Sequence, residues 1–183
     1  KRQGYERTSI DEIARLASTS KATIYKYFKS KTGLFEHVLA QETEITSLKL
    51  LGNLDRADDF KTNLTGLAES ILEIITSDRY MQTRNMFAST SHGINFGCRW
   101  YENVYAPFLQ RLGVTLHEQM KLGHLLEEDP IRAADTFVSL VYGTTVELMA
   151  LGARQQPTMA EQKELAKNAV LQFLRCYNPA NAM

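Results

Sequence analysis

The sequence has few of the residues that interrupt a chain or crosslink it. Its 183 residues include four prolines, ten glycines and two cysteines. Cys98 and Cys176 lie far apart and form no CxxC pair, so they predict neither a disulfide framework nor a zinc site. Two such cysteines are typical of thiols in a reducing compartment, and we therefore expect a cytoplasmic protein.

Long apolar runs are also lacking. No run approaches the roughly 20 apolar residues that a membrane helix needs, and the polar start, Lys1–Gly4, does not resemble a signal peptide. We therefore predict no membrane partner. The composition, 44% hydrophobic and 23% charged, is typical of a folded globular chain.

Sequence signatures of catalysis and of metal binding are missing too. The chain contains no Gly-rich phosphate loop, no GxSxG and no HExxH. Two of its four histidines, His117 and His124, are seven residues apart, whereas a metal pair on a helix needs a spacing of three or four. We predict that the protein is not an enzyme and has neither a cofactor nor a metal site.

Strand-like alternation of apolar and polar residues is nearly absent, whereas helical periodicity runs through the chain. The fold class is therefore predicted to be all-α. Pro107 and Pro130 suit first helical turns, and Thr158 with Glu161 has the spacing of a capping box. The predicted helices are Ser9–Ala17, Ser20–Phe28, Lys31–Leu51, Asp58–Thr76, Arg79–Thr90, Asn95–Tyr105, Pro107–Leu122, Pro130–Gly152 and Thr158–Tyr177.

Charge is unevenly distributed along a chain whose net charge is zero. Residues 1–40 hold eight basic and four acidic side chains, a net charge of +4, so residues 41–183 carry −4. A basic head on an acidic body is expected when only one end of a protein meets phosphate.

The basic head contains two short predicted helices joined by a tight polar turn, the pattern of a helix-turn-helix. We expect Ile13, Leu16, Ile24 and Phe28 to form their shared core, with the small Ala17 at the crossing. The second helix then presents lysines and tyrosines outward, and such side chains suit the phosphates and bases of DNA. The residues predicted to face outward are Lys21, Ala22, Thr23, Tyr25, Lys26 and Tyr27.

The run from Thr8 to Phe35, with Thr8-Ser9-Ile10, Ile13-Ala14, Ser20–Phe28, Lys31 and Leu34-Phe35, resembles the DNA-binding domain of the TetR regulators. Members of that family have a further helix before the position of Gly4-Tyr5, where this sequence has only Lys1-Arg2-Gln3. We expect that helix to be missing from the sequence given, by truncation or disorder.

The resemblance implies a role in DNA binding for ten residues. Thr8 and Ser9 would contact phosphate at the start of the first helix, and Lys31 would do so at the start of the connecting helix. The remaining positions would contact the major groove or the phosphate backbone of the DNA: Ser20, Lys21, Ala22, Thr23, Tyr25, Lys26 and Tyr27.

Residues 1–51 are predicted to form the DNA-binding domain with its connecting helix, and residues 52–183 an effector-binding and dimerisation domain built as a helical bundle. Large side chains with polar tips gather in the middle of the second part, where the resemblance implies an effector pocket. The stretch Glu128–Phe137 also resembles the C-terminal domain of the AefR-like branch. The predicted effector-binding residues are Phe87, His92, Phe96, Trp100, Tyr101, Tyr105, Met120, Phe137 and Tyr142.

The last two predicted helices carry wide apolar arcs, and the resemblance implies that they pair with a second copy. Small residues at Ala133, Ala134, Gly143 and Ala150 would permit a close approach. The sequence thus predicts a homodimeric repressor that binds a palindromic DNA operator and is released by a small apolar or aromatic effector. The alternative is a DNA-binding regulator without a small-molecule effector, whose second domain only dimerises or contacts a protein.

Overall fold

The computed structural model describes residues 8–52, 59–89 and 96–181, apart from the side chains of residues 39, 42–49, 51, 86–89, 96 and 99. Within these ranges the regular structure is helical and contains no strand, so the predicted all-α fold is confirmed. A π-helical turn at Tyr101–Tyr105 joins two of the helices, and a 3-10 turn at Pro179–Asn181 follows the last one. The helices are α1 (Ile10–Leu16), α2 (Lys21–Phe28), α3 (Lys31–Leu51), α4 (Phe60–Ile75), α5 (Asp78–Ser89), α6 (Phe96–Trp100), α7 (Ala106–Lys121), α8 (Pro130–Tyr142), α9 (Thr145–Ala150) and α10 (Met159–Cys176).

The head consists of α1, α2 and the start of α3 around a small core. Ile10, Ala14 and Ile24 are buried, and Ile13, Phe28 and Leu34 pack against them. Ile10 and Ala14 lie four residues apart and therefore share one face of α1.

Two predictions about the head core are wrong. Leu16 is 70% exposed, and Ala17, predicted to lie at the helix crossing, is also exposed. Leu16, two positions beyond Ala14, points away from the buried face of α1, and Ala17 lies just beyond the helix as its C-cap residue.

The body is built around α4, whose apolar stripe is buried: Leu64, Leu67, Ala68, Ile71, Leu72 and Ile75. Helix α4 packs against α8 and α10, and α7 packs against α8. Leu50, near the end of α3, joins the body core. Helix α3 thus begins in the head and ends against the body.

The predicted break between Tyr105 and Pro107 is wrong, because α6, the π turn and α7 form one continuous helical segment. Trp100 and Ala106, at the two junctions, have helical backbone angles, and the Ala106 N–H bonds the Tyr101 carbonyl, five residues back. Proline lacks an N–H, and its ring crowds the carbonyl four residues earlier. The wider π turn directly before Pro107 relieves that crowding without ending the helix.

The predicted helix Pro130–Gly152 is wrong in the opposite sense, because it breaks into α8 and α9. Gly143 ends α8 with φ 47° and ψ −143°, a conformation that side chains with a Cβ rarely adopt. Gly152, with φ 70°, lies where the sequence placed the end.

The packing argument for a dimer seam on the last helices is also corrected. Five of the ten apolar residues in its wide arcs are buried within the single chain, and so are two of the four small residues expected at the interface. Those buried are Ala133, Ala134, Phe137, Val138, Val141, Val170 and Phe173. The described helices include none that is long and apolar enough to cross a bilayer.

Candidate DNA-reading surface and aromatic cleft

Serine hydroxyls cap both helices of the head. Ser9 Oγ accepts a hydrogen bond from the Glu12 N–H at 3.1 Å, and Ser20 Oγ accepts one from the Thr23 N–H at 3.0 Å. The Ser20 and Thr23 hydroxyls are also 2.8 Å apart. A hydroxyl that accepts from a backbone N–H keeps its own hydrogen for another acceptor, such as a phosphate oxygen. Thr8, directly before this cap, is half-buried.

Helix α2 turns Ile24 and, at its end, Phe28 inward and the rest outward. Ile24 is buried, whereas Lys21, Ala22, Thr23 and Lys26 are exposed. The outward face is the one that the sequence predicts to meet DNA.

Two tyrosines extend this outward face. Tyr25 is 42% exposed and Tyr27 is 69% exposed. Lys26 Nζ lies 5.9 Å from the centre of the Tyr27 ring, within cation–π range. The face therefore combines a cation with accessible phenol groups.

Lys21, the first residue of α2, is held by a carboxylate from α1. Its Nζ lies 2.9 Å from Asp11 Oδ2, and both side chains are more than half exposed. The hydrogen bond to Asp11 and the charge of that carboxylate raise the pKa of Lys21. The sequence pattern does not predict this pair, because a contact across a turn depends on the crossing of α1 and α2.

The junction between α2 and α3 is built on a close backbone approach. Lys29 ends α2 with a positive φ of 59°, and Ser30 Oγ accepts from the Gly33 N–H at 2.9 Å. A Cβ at Gly33 would collide with the Phe28 carbonyl oxygen. Glycine at this position therefore sets the angle at which α3 leaves the head. Lys31, one of the predicted phosphate contacts, is half-buried in the first turn of α3.

A cleft of about 440 Å³ opens in the body between α8 and the π turn. It is lined by Tyr105, Val138, Ser139, Tyr142 and Gly143. Two of the predicted effector-binding residues, Tyr105 and Tyr142, are thus brought together.

Two other predicted effector-binding residues flank Tyr105. The Trp100 ring stacks on it with 5.5 Å between centroids and 23° between planes. The Tyr101 ring is tilted, 6.0 Å from Tyr105 and 53% exposed. Three neighbouring aromatic rings therefore lie at the π turn.

The structure does not bring all the predicted effector-binding residues to the cleft. Met120 and Phe137 belong to the body core, and Phe137 packs edge-to-face on Phe173. Their role in effector binding remains a prediction. The side chains of Phe87 and Phe96, and His92 as a whole, lie outside the described residues.

Hydroxyl and charged groups around the cleft include residues that the sequence does not single out. The Tyr80 hydroxyl, from α5, hydrogen-bonds the Tyr142 hydroxyl, and burial raises the pKa of Tyr80. The Tyr105 hydroxyl donates to Asp135 Oδ1 at 3.2 Å. Burial and the neighbouring Asp135 carboxylate raise the pKa of Tyr105, so this phenol stays protonated at neutral pH. The cleft therefore offers neutral phenols together with apolar walls.

A surface ion pair lies on the same side of the body as Tyr80 and Tyr142. Arg84 donates to Glu147 at 2.8 Å and so joins α5 to α9. In the sequence, Tyr80 lies within the predicted helix Arg79–Thr90. The sequence marks Tyr80 as a neighbour of the cleft only through its position one helical turn before Arg84.

The π turn also contacts α3, as does α7. Tyr105 thus belongs to a segment that touches the cleft on one side and the connecting helix on the other. No group of three or more His, Cys, Asp or Glu residues that could hold a metal ion occurs in the described part of the chain.

Two family models match the chain. Residues 1–38 match the bacterial regulatory proteins of the tetR family. Residues 62–179 match the C-terminal domain of the AefR-like transcriptional repressors. The weaker of the two resemblances, at Glu128–Phe137, is thereby confirmed.

Individual relatives agree with the family models. The HTH-type transcriptional regulator YvdT of Bacillus subtilis (strain 168), described as uncharacterised, is 23% identical over 94% of this chain and 86% of its own length. The crystal structure of a TetR-family transcriptional regulator from Mesorhizobium loti MAFF303099 has a TM-score of 0.86 at 22% identity, covering 95% of this chain and 88% of its own. The flavonoid-responsive regulator FrrA has a TM-score of 0.75 at 27% identity, covering 99% and 91%.

Proposed function

Because the chain belongs to the TetR family of DNA-binding transcriptional regulators, which are not enzymes, we propose that it is a cytoplasmic repressor released from DNA by a small aromatic effector. It binds a palindromic operator as a homodimer. Residues 1–51 form the DNA-binding part, and residues 52–183 form the effector-binding and dimerisation part.

The observation that supports operator reading is the composition of the outward face of α2. Lys21, Thr23, Tyr25, Lys26 and Tyr27 are all exposed there. Lysines neutralise phosphate, hydroxyls donate to phosphate oxygens, and the first residues of such a helix reach base edges in the major groove. The capped start of α1 adds Thr8 and Ser9 as phosphate contacts, and the start of α3 adds Lys31.

The aromatic cleft supports an aromatic effector. Trp100 stacks on Tyr105, and Tyr105 and Tyr142 line the cleft together with Ser139. Flat rings with hydroxyl groups would stack on these aromatics and exchange hydrogen bonds with the phenols. The regulator FrrA, 27% identical to this chain, is described as flavonoid-responsive, and flavonoids have that chemistry.

The contact between the π turn and α3 offers a route from the cleft to the head. An effector that binds the cleft better in one position of α3 than in another would change the separation of the two heads in a dimer. Coupling of this kind is typically worth ~1–3 kcal/mol.

Dimer formation is proposed through the segment formed by α8 and α9 together with α10. The exposed apolar side chains that support this interface are Leu151 and Met159, which are 71% and 76% accessible. They lie on either side of the loop between α9 and α10. Half-buried Leu148 and Met149 lie next to them. A single head reaches only a few base pairs, whereas two related by a two-fold axis reach half-sites about 34 Å apart or a multiple of that.

Trp100 provides a direct test because it is the single tryptophan of the chain. A panel of flavonoids and other phenols is titrated while tryptophan emission and binding to an operator selected from genomic DNA are both recorded. We expect a compound that changes the emission to lower operator affinity ~5–150-fold. Binding of such a compound without any change in operator affinity would contradict effector control.

The second candidate is a DNA-binding regulator whose body binds no small molecule and contacts only a second copy or another protein. The exposed Leu151 and Met159 could contact either a second copy or another protein, and neither contact requires an effector. If no compound in the panel changed Trp100 emission, while substitution of Leu151 by a charged residue abolished operator binding, this candidate would replace the first.

A further inference from the structure

The ion pair between Asp11 and Lys21 joins the two helices of the head at the start of the DNA-reading helix. Asp11 lies in the first turn of α1, and Lys21 is the first residue of α2. Their charged atoms are 2.9 Å apart, although ten residues separate them in the chain. The pair is exposed, with 51% of the Lys21 side chain and 70% of the Asp11 side chain accessible. It therefore lies where DNA could approach it.

The first position of a helix is unfavourable for a lysine, because the N-terminus of a helix carries partial positive charge. An anion is favoured at this end, and Asp11 supplies one from the neighbouring helix. In the free protein the carboxylate thus occupies part of the position that a phosphate oxygen would take on DNA.

A carboxylate at this place has two effects on DNA binding. It offsets the charge of Lys21, so that this lysine contributes less to neutralising phosphate, and it repels the phosphates themselves. Both effects weaken binding to every duplex, because the phosphate backbone is the same in all sequences. Hydrogen bonds to base edges form only at the operator and add to this backbone contribution.

We propose that Asp11 restrains Lys21 and thereby lowers the affinity of the head for the phosphate backbone, including that of non-operator DNA. The inference rests on the head being the DNA-reading part of the protein. It goes beyond that assignment because it gives an acidic residue outside the outward face of α2 a role in setting DNA affinity.

The test compares two substitutions that each remove one negative charge from α1. Asp11→Asn breaks the ion pair but keeps an acceptor near Lys21. Glu12→Gln is the control, since half-buried Glu12 is the next residue along and forms no ion pair with another described residue. Binding of the full-length protein to a 20-base-pair duplex of random sequence is measured by anisotropy over a salt series.

We expect Asp11→Asn to bind the random duplex roughly three- to tenfold more tightly at low salt. The slope of log affinity against log salt should steepen by ~0.9 for each head bound. Glu12→Gln should change affinity less than about twofold and leave the slope unchanged, because it frees no cation for a new phosphate contact. In a Lys21→Gln background, Asp11→Asn should no longer steepen the slope.

Equal behaviour of Asp11→Asn and Glu12→Gln would overturn the proposal, because only the change in net charge would then matter. A slope that steepens equally without Lys21 would also overturn it. If the wild-type protein bound no duplex at any salt concentration, the DNA-binding assignment of the head would fail as well. Thermal unfolding of each variant checks that the substitutions leave the fold intact.

Discussion

The head and the body of this protein differ in the size of their cores and in where they carry functional groups. Three described residues form the buried centre of the head, whereas twenty-four form that of the body. The functional side chains of the head lie on its surface, while those of the body surround a cleft among half-buried rings. Because apolar burial contributes roughly 25 cal/mol per Å², the core of the body should contribute far more to the free energy of unfolding than the core of the head. Substitutions in the body should therefore change stability, and substitutions on the head should change DNA affinity.

The largest effect is expected from Phe173→Ala. Phe173 is fully buried between Phe137 and Tyr177, and emptying such a site costs about 3–5 kcal/mol. Urea unfolding at fixed protein concentration measures the loss, with exposed Gln172→Ala as the control within 0.5 kcal/mol of wild type. A loss below about 1 kcal/mol would show that the body core is not the main source of stability.

Gly33→Ala should weaken the head, and through it the binding of DNA. The added Cβ collides with the Phe28 carbonyl, so the α2–α3 junction must shift at a cost of about 1–3 kcal/mol. Gly66→Ala, in α4, is the matched control, because nothing lies within 4 Å of a Cβ there and alanine is the better helix former by roughly 0.5–1 kcal/mol. Urea unfolding should shift in opposite directions for the two variants, and operator binding should weaken only for Gly33→Ala. Similar stability for both would contradict the close approach at Gly33.

Lys26→Ala and Tyr27→Ala should impair DNA binding with little effect on folding. Both side chains are exposed on α2, so the free energy of unfolding should change by no more than about 0.5 kcal/mol. For Lys26→Ala, the slope of log operator affinity against log salt should become shallower by ~0.9 per head. Lys163→Ala on the exposed face of α10 controls for loss of a lysine in the body. Unchanged operator binding in both head variants would place the reading surface elsewhere.

The smallest effects are expected at the start of α10. Thr158 and Glu161 form a reciprocal capping box, and Thr158→Ala should cost about 1 kcal/mol. Hydrogen bonds from Thr158 lower the pKa of Glu161 below its ordinary value of 4.5. A carboxyl with a lowered pKa stabilises the fold above that value and loses the effect as the pH falls below it.

Glu161→Gln keeps an acceptor for the Thr158 N–H but does not titrate in this range. Its unfolding free energy should therefore depend less on pH than that of wild type between about pH 5 and 3. Equal pH dependence in the two proteins would mean that the capping box carries no charge effect.

The same division between head and body describes what could be predicted from sequence. A local signal identified the capping box at Thr158 and Glu161, since a cap depends on residues three apart. Periodicity identified the helix Asp58–Thr76, which corresponds to α4. The outward positions on α2 followed from their spacing around Ile24.

Features that depend on long-range packing were not predictable in this way. The Asp11–Lys21 and Tyr80–Tyr142 pairs require the relative placement of separate helices. The exposure of Leu16 and the burial of Ala133 depend on which face of each helix meets the rest of the protein. Pro107 was expected to begin a new helix, but the π turn before it lets the helix continue. Gly143 was expected to lie inside a helix, but its positive φ ends α8 there.

The central claim is that the head reads a palindromic operator as one half of a homodimer. Selection of bound fragments from genomic DNA, followed by footprinting and measurement of protein-to-DNA stoichiometry, tests it most directly. The account predicts an inverted repeat, with half-site centres about one helical turn apart or a multiple of it and two chains per operator. Fragments bound without any common sequence, or one chain per selected site, would contradict it.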